Sequence, residues 1–459
     1  MDAHRWQNVT AARLSWSAGA ARTADSPLQA WLEVSARCNL RCQMCAINYD
    51  SRYRPQGTRP PFFQPELFAR LRPIFPRLLR AHLFGLGEPT LNPYLIDYIR
   101  ELSAAGVEVA FNTNATLIDD AKAREIADAG TKRVTVSIDG AQAETYEAIR
   151  VGATFEKVMR GIRALIAAGL EVDFSMVAMK SNLDDVPRLV DLCADVGGKG
   201  VHVEPLYSQV GSPELDEHYA RENLGGVPGA VDRFEDAARR ASQHGIRFGS
   251  RFRGVETFDY VDVAREQRAT WTCSEPWASI WVTSAGDVRT CCLNDKSFGN
   301  LNEETFEEIW NGDAYQRFRE QHARREHAGG CANCILNGRV QATTFFRPTQ
   351  AVTLRPYFES LPEPSADDDV ILETPTQGAT VVEPLTIEGC VRRGVDPRSI
   401  DVMIDYTHVE YLNRKKFKVL VPTSFLSEGA HVLWMRSRGG RGCAYREVHF
   451  WRPPLSSRA

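Results

Sequence analysis

The run Ala36-Arg37-Cys38-Asn39-Leu40-Arg41-Cys42-Gln43-Met44-Cys45 spaces three cysteines as C-x3-C-x2-C. It follows Trp31-Leu32-Glu33-Val34-Ser35, an apolar stretch that reads as a short buried strand. Three thiolates on one loop suit an iron–sulfur cluster better than zinc. Structural zinc closes with four ligands, usually in paired C-x2-4-C spacing, and no fourth Cys or His lies near this loop. Three ligands on a four-iron cluster leave one iron open to a small molecule. The competing reading is a zinc loop, or three cysteines placed in the core.

Outward from this loop, strand candidates at 31–36, 81–86, 107–112, 133–138, 170–178 and 199–205 alternate with helical patterns. The helix candidates cover 64–79, 93–104, 118–129, 142–168 with a break, and 184–195. Such alternation predicts a parallel sheet with crossover helices. Six units fall short of the eight that close a full barrel. In these folds ligand sites lie at the carboxyl ends of strands. The cysteine loop follows the first strand, Gly85-Leu86-Gly87-Glu88-Pro89 the second, and Asn112-Thr113-Asn114 the third. Ser137-Ile138-Asp139-Gly140 follows the fourth, Met176-Val177-Ala178 ends the fifth, and Glu204-Pro205 with Tyr207 ends the sixth. All rim one mouth.

Gly85 and Gly87 let the backbone approach a ligand closely. Ser137 and Asp139 offer a hydroxyl and a carboxylate to ribose hydroxyls, while Asp139 equally suits a helix cap. Thr113 and Asn114 contact a ligand or build a turn. Glu204 and Tyr207 are candidate catalytic residues, for substrate contact or proton handling. Cys193 falls in an amphipathic helix and reads as a core thiol.

The cysteine loop and the G-x-G-E-P element together resemble the radical S-adenosylmethionine (SAM) enzymes. That resemblance implies a partial (β/α)6 TIM-like barrel, open on one side for substrate. It also implies an open iron that chelates the amino and carboxylate groups of SAM. Reductive cleavage of the sulfonium bond would then yield a 5′-deoxyadenosyl radical that takes hydrogen from substrate. In the family the Gly85–Pro89 element, a GGEP variant with Leu86 inserted, receives the SAM amino group, and Glu88 supplies structure and charge beside it. Arg150 matches a basic residue facing the SAM carboxylate. Met44 matches an apolar residue beside adenine, or serves core packing alone.

A second set, Cys273, Cys291, Cys292, Cys331 and Cys334, comes with Gly286-Asp287, Phe298-Gly299-Asn300-Leu301 and Ile309-Trp310-Asn311. These elements resemble the SPASM/twitch extension of radical SAM enzymes, which binds auxiliary clusters. A hairpin turning at Ala285-Gly286-Asp287 would join Cys273 to Cys291, and a helix would return Cys331 and Cys334. Four cysteines fill one auxiliary [4Fe-4S] cluster. Adjacent residues on a strand face opposite ways, so Cys292 is the spare; the spacing favours Cys291 as ligand. Cys292 is also the thiol available as hydrogen donor for an epimerisation. A four-cysteine zinc ribbon is the alternative for this set.

The chain has 459 residues, eleven cysteines and a net charge of -4. That charge gives no electrostatic case for nucleic acid as partner. No apolar run of ~18 residues predicts a membrane span, and no export signal opens the chain. Tightly spaced cysteines then argue for metal binding in a cytoplasmic protein rather than disulfides. The domain plan is an irregular lead-in at 1–29, a barrel at 30–207, a linker or lid with a helix at 208–255, the auxiliary-cluster domain at 256–345, a linker at 346–369, and an all-β immunoglobulin-like sandwich at 370–453. Cys390 and Cys443 read as core thiols there. The expected activity is dehydrogenation or epimerisation of a polar small molecule, sugar- or aminocyclitol-like, because no leader-binding segment precedes the barrel. Flavodoxin or ferredoxin would be the reductant. The alternatives are a peptide-modifying enzyme of the same family and, from another class, a non-catalytic iron–sulfur or zinc scaffold.

Overall fold

The computed structural model describes residues 3–17, 19–49, 60–206, 213–224, 227–250, 273–292, 294, 296–324, 326 and 331. Towards the C-terminus it describes 370–376, 378–380, 385–392, 400–404, 407–411, 415–421, 429–437 and 446–452.

Alternation of burial builds the main sheet. Its strands are β1 (Gln29–Leu32), β2 (Arg80–His82), β3 (Glu108–Thr113), β4 (Arg133–Ser137), β5 (Glu171–Ala178), β6 (Gly200–Pro205), β7 (Arg247–Ser250), β8 (Ser279–Val282) and β9 (Val288–Arg289). Along β5, Val172, Phe174, Met176 and Ala178 are buried, and the residues between them are half-buried. The buried face packs under helices such as Phe155–Ala167, whose Val158, Met159, Ile162 and Leu165 recur at helical spacing. The other face of the sheet is the inside of a partial barrel.

The strand order is β7-β6-β5-β4-β3-β2-β1-β8-β9. The six expected parallel strands lie side by side, and the sheet extends past both ends of that set. β7 pairs parallel to β6, and β8 pairs parallel to β1 with Trp31 opposite Trp281. β9 then returns antiparallel to β8. The auxiliary segment therefore completes the sheet that carries the first cysteine loop.

Several expected boundaries shift for identifiable reasons. The helix expected over 64–79 stops at Ala69 and resumes as a short 3-10 turn, Arg72–Ile74. Pro73 and Pro76 cannot continue it. The lead-in is not irregular. It holds the helix Ala3–Ser17, anchored where Arg5 donates to the Leu78 carbonyl at 2.8 Å and the Phe75 carbonyl at 3.1 Å. The supposed linker beyond 208 contains the helix Pro213–Glu222, opened by a proline at its first position.

The C-terminal strands are β10 (Val370–Thr374), β11 (Ala379–Thr380), β12 (Leu385–Val391), β13 (Ile400–Ile404), β14 (Thr407–Tyr411), β15 (Lys416–Val421), β16 (Gly429–Ser437) and β17 (Arg446–Arg452). They form two sheets, β10-β12-β15 and β11-β17-β16-β13-β14. Val370, Leu372, Ile387 and Phe417 of the first meet Val402, Leu433 and Met435 of the second in one apolar cluster. All six expected strands are present; β11 and β14 were not foreseen. Cys390 is half-buried rather than a core thiol, and Cys443 lies outside the described residues.

Candidate active site

Along the first cysteine loop, buried and exposed positions alternate up to Met44. Leu40, Cys42 and Met44 are buried, whereas Arg37, Asn39, Arg41 and Gln43 are exposed. Backbone bonds from Arg41 to Val151 (2.9 Å) and from Gln43 to Ile149 (3.0 Å) fasten it to the chain beyond β4. Burial pushes the Cys42 thiol up to about 12 and raises Cys38 and Cys45 as well. Cys38 and Cys45 add to the rise at Cys42, and Cys38 adds to the rise at Cys45, which places the three as neighbours. Donors point at the sulfurs. The Leu40 amide donates to Cys38 Sγ at 3.4 Å, and Asn114 Nδ2 and Arg150 Nη1 stand 4.0 Å from Cys38 Sγ and Cys42 Sγ. Thiols held by nearby donors fit a thiolate-ligated cluster, whose sulfurs gain charge when the protons leave.

Among the described residues, no three His, Cys, Asp or Glu side chains gather tightly enough for one metal ion. A cluster makes no such demand, because each cysteine ligates a different iron.

The glycines beside this loop are set by close approach. A Cβ on Gly87 would lie 2.4 Å from the Ser35 and Arg37 carbonyl oxygens, and one on Gly85 would lie 2.4 Å from Glu33 Cγ. Glu88 is buried and fully engaged. Its carboxylate accepts from Thr90 Oγ1 (2.7 Å), the Thr90 amide (3.1 Å), Thr113 Oγ1 (2.7 Å) and the Asn114 amide (2.8 Å). Its own amide donates to the Arg37 carbonyl at 2.7 Å. Glu88 thus ties the loops after β1, β2 and β3 together. Asn114 spends its oxygen on Thr116 and reaches Asn39 Oδ1 at 2.9 Å, which joins a turn to the cysteine loop.

Asp139 is wholly buried. Its carboxylate lies 2.7 Å from Arg150 Nε and accepts from the Val177 amide at 2.8 Å. Burial raises this carboxyl, and the Arg150 guanidinium works against that rise. Arg150 in turn faces Cys42, so a chain Asp139–Arg150–Cys42 crosses beneath the loop. The helix Ala143–Ile149 is not capped by Asp139; Gln142 holds that position. Ser137 stays half-buried on the barrel's inner face, opposite Ser175. Met44 is part of the apolar core, and its carbonyl accepts from Tyr219 Oη at 3.4 Å.

The inner face divides into two halves. On one, Trp31 and His82 stack at 3.8 Å between centroids, and Trp281 lies parallel beyond Trp31 at 6.1 Å. Phe84 meets Trp31 edge-on at 5.1 Å. On the other lie Asn112, Thr135, Ser137, Ser175, His202 and Glu204 at alternate strand positions. His202 Nε2 bonds Glu204 Oε1. The sequence reading found Glu204 but missed His202, two residues earlier and so on the same face. Tyr207 lies outside the described residues.

In the auxiliary segment, Cys273 precedes the short helix Glu275–Ala278 and β8. The hairpin turns at Gly286, whose φ of 92° lies in the left-handed region where glycine is unstrained. Cys291 follows β9. Burial holds its thiol well above the ordinary value, with Cys292, Glu275, Cys273 and Cys331 adding to the rise. The fold therefore brings Cys273, Cys291 and Cys331 together, while Cys292 is exposed and Cys334 lies outside the described residues. Arg319 clasps this region. It is fully buried, its guanidinium sits 4.2 Å from the Trp310 ring and 4.5 Å from Tyr315, and it donates to the carbonyls of Pro276, Trp310 and Ala21.

Comparison with known proteins agrees with this geometry. The family profile of the radical SAM superfamily matches residues 32–193, and that of the SPASM iron–sulfur cluster-binding domain matches 273–335. An AdoMet-dependent heme synthase of Methanosarcina barkeri is 26% identical over 329 residues, covering 67% of this chain and 88% of that protein. A GTP 3′,8-cyclase of Hydrogenovibrio crunogenus is 32% identical over 200 residues, covering 42% of this chain and 59% of that one. Streptococcus suis SuiB, solved with its precursor peptide SuiA, shares the fold at a TM-score of 0.51 and 16% identity, over 68% of this chain and 71% of that one.

Two cysteine centres on a sheet of this topology define a radical SAM protein. More particularly, it is one that carries a SPASM auxiliary domain. Its cofactors are SAM, the [4Fe-4S] cluster that binds it, and an auxiliary cluster. The named relatives are enzymes. No described helix is long and apolar enough to cross a membrane.

Proposed function

We propose that this protein oxidises or inverts a C–H centre of a polar small molecule, of the sugar or aminocyclitol kind. The observation that carries this reading is the polar half of the inner face, where Asn112, Thr135, Ser137 and Ser175 lead to the His202–Glu204 pair. Hydroxyl and amide groups suit a polyol, and the aromatic half of the same face borders it with apolar surface. When bound, the SAM-ligated cluster supplies the electron that breaks the sulfonium bond and so provides the hydrogen-abstracting group.

The chain's own residues do the rest. Cys38, Cys42 and Cys45 ligate the first cluster, and Cys273, Cys291, Cys331 and Cys334 the single auxiliary one. The backbone at Gly85 and Gly87 receives the SAM amino group, and Glu88 holds that turn through Thr113 and Asn114. Ser137 reaches the ribose. Arg150, oriented by Asp139, faces the SAM carboxylate, and Met44 borders the adenine. Glu204, hydrogen-bonded to His202, takes the proton a dehydrogenation releases. Cytoplasmic residence and a flavodoxin or ferredoxin reductant complete the reading. We also read the C-terminal unit as immunoglobulin-like, because β11 pairs parallel to the last strand, β17, at a sheet edge.

The test is anaerobic incubation of the reconstituted, reduced protein with SAM and panels of sugars, aminocyclitols and peptides. Faster 5′-deoxyadenosine release with a polyol is expected. A product lighter by two hydrogens indicates dehydrogenation, and deuterium uptake from solvent indicates epimerisation. Stimulation by peptides alone would overturn the small-molecule reading. If Cys292→Ala leaves an epimerisation intact, Cys292 is not its hydrogen donor.

A further inference from the structure

The inner face of the sheet carries its charges in partnership. Arg80 bonds Glu108 at 2.7 Å across β2 and β3, and Arg133 bonds Glu171 at 2.9 Å across β4 and β5. Arg247 on β7 bonds Asp173 at 2.8 Å. Glu33 accepts from the Ser284 amide at 3.0 Å, and Glu204 is held by His202. Arg289 is the exception. It lies directly opposite Trp281 in the antiparallel pair β8–β9, and residues so paired project on the same face with Cβ atoms about 5 Å apart. Its neighbour Val288 is fully buried on the other face. Half-buried Arg289 therefore enters the inner face beside the rings of Trp281 and Trp31. Among the described residues it has no ion-pair, hydrogen-bond or ring partner, and its Nε is closed off from water. The acid two residues before it, Asp287, is taken by Asn300 and Thr283. Nor does the auxiliary site claim it. The groups acting on the Cys291 thiol are Cys292, Glu275, Cys273 and Cys331, and Glu275 bonds Ser279.

We propose that Arg289 receives an anionic group, carboxylate or phosphate, carried by the substrate. This deepens the small-molecule reading above and rests on the inner face being the substrate cavity. A guanidinium stays charged at every working pH, and its planar fork of N–H donors matches two oxygens of either group. Donors partly withdrawn from water and left without an acceptor are a standing cost, which an arriving oxyanion removes. A neutral polyol brings no charge and offsets less of it. Position adds to the argument. Arg289 stands on the aromatic half, across the face from the hydroxyl and amide groups of β3 to β5. A substrate anchored by its anion at one side lays its hydroxyls along the other, and that fixes which C–H centre is presented. Arg289 acts on orientation and specificity, not on the reacting atoms.

The experiment uses the full reconstituted chain, loaded with SAM and left unreduced so that nothing turns over. Isothermal titration calorimetry measures binding of glucose, galactose and mannose, each as the neutral sugar, its 6-phosphate and its uronate, and of acidic and neutral peptides. An anionic sugar should bind about tenfold or more tightly than its neutral parent. Arg289→Gln should erase that preference and leave the neutral sugar's affinity in place. Arg289→Lys, which keeps the charge but loses the fork, should retain part of it. Preference for the 6-phosphate over the uronate assigns phosphate, and the reverse assigns carboxylate. Iron content and the auxiliary cluster's electron paramagnetic resonance signal should be the same in all three proteins. Equal binding of neutral and anionic ligands, binding of neither sugars nor peptides, or unchanged anion affinity in Arg289→Gln would overturn the proposal. So would loss of auxiliary iron in Arg289→Gln that Arg289→Lys restores, since the charge would then serve that cluster. A preference for acidic peptides that Arg289→Gln abolishes, with no sugar bound, would keep the anion site and sink the small-molecule reading instead.

Discussion

At Gly87 the methyl group of an alanine would meet two backbone oxygens of the first cysteine loop at 2.4 Å, and backbone cannot swing aside as a side chain can. Gly87→Ala is therefore expected to cost roughly 1–3 kcal/mol of stability and to displace the loop that carries Cys38 and Cys42. Iron analysis checks this. The variant should resemble Cys42→Ala, losing about four of about eight irons and SAM cleavage with them. His82 tests another single residue. Burial in the aromatic stack and the nearby Arg80 charge lower it from 6.5 to about 3. The folded protein then keeps the ring neutral where the unfolded chain would protonate it. Stability present above 6.5 is lost as pH falls toward 3. His82→Phe should flatten that acid limb, read as a smaller drop in urea midpoint between pH 7 and pH 5 than the unaltered protein shows.

Among elements, the clasp at Arg319 is the one whose loss should be selective. It holds the carbonyls of Pro276, Trp310 and Ala21, so it joins the helix next to Cys273 to the lead-in. Trp277 and Trp310 donate to Ala20 and Asp25 from the same side. Arg319→Met would strand those carbonyls at a cost of roughly 2–5 kcal/mol. The auxiliary iron should fall while the first cluster keeps its signal. The sequence made much of this scale legible, because period-two burial in β3 to β6 and helical spacing between them are local patterns. The hairpin at Gly286 was legible for the same reason. The lead-in was not: the helix Ala3–Ser17 shows little amphipathic pattern, and what fixes it is Arg5 and Asn8 reaching carbonyls some 70 residues away. Asp139 misled in a similar way. Its place at a strand end suited a ribose contact, but its partner Arg150 comes from beyond the next helix. The aromatic inner face escaped notice because Trp31, His82 and Trp281 meet only across strands distant in sequence.

For the whole molecule, the division of its apolar cores matters most. The cluster under the α/β sheet and the cluster between the two C-terminal sheets share no residue. Two cores of this kind are expected to unfold separately, so a denaturant curve followed by tryptophan fluorescence should show two transitions. Leu433→Ala, which empties a fully buried site between the C-terminal sheets, should move one of them by about 2–5 kcal/mol and leave the other in place. A single transition shifted as a unit by that variant would show instead that the cores are coupled.

The pairing of β8 with β1 also has a consequence for biosynthesis. The Gln29 side chain donates to Ser279 Oγ across a separation of 250 residues. At translation speeds of roughly 5–20 residues per second, one edge of β1 waits on the order of 10–50 s at the ribosome before its partner is made. During that interval the strand leading into the cysteine loop is an open template for pairing with other chains. Slower synthesis lengthens the exposure, and holdase chaperones that cover nascent strands should raise the yield of soluble protein more than chaperones acting after release.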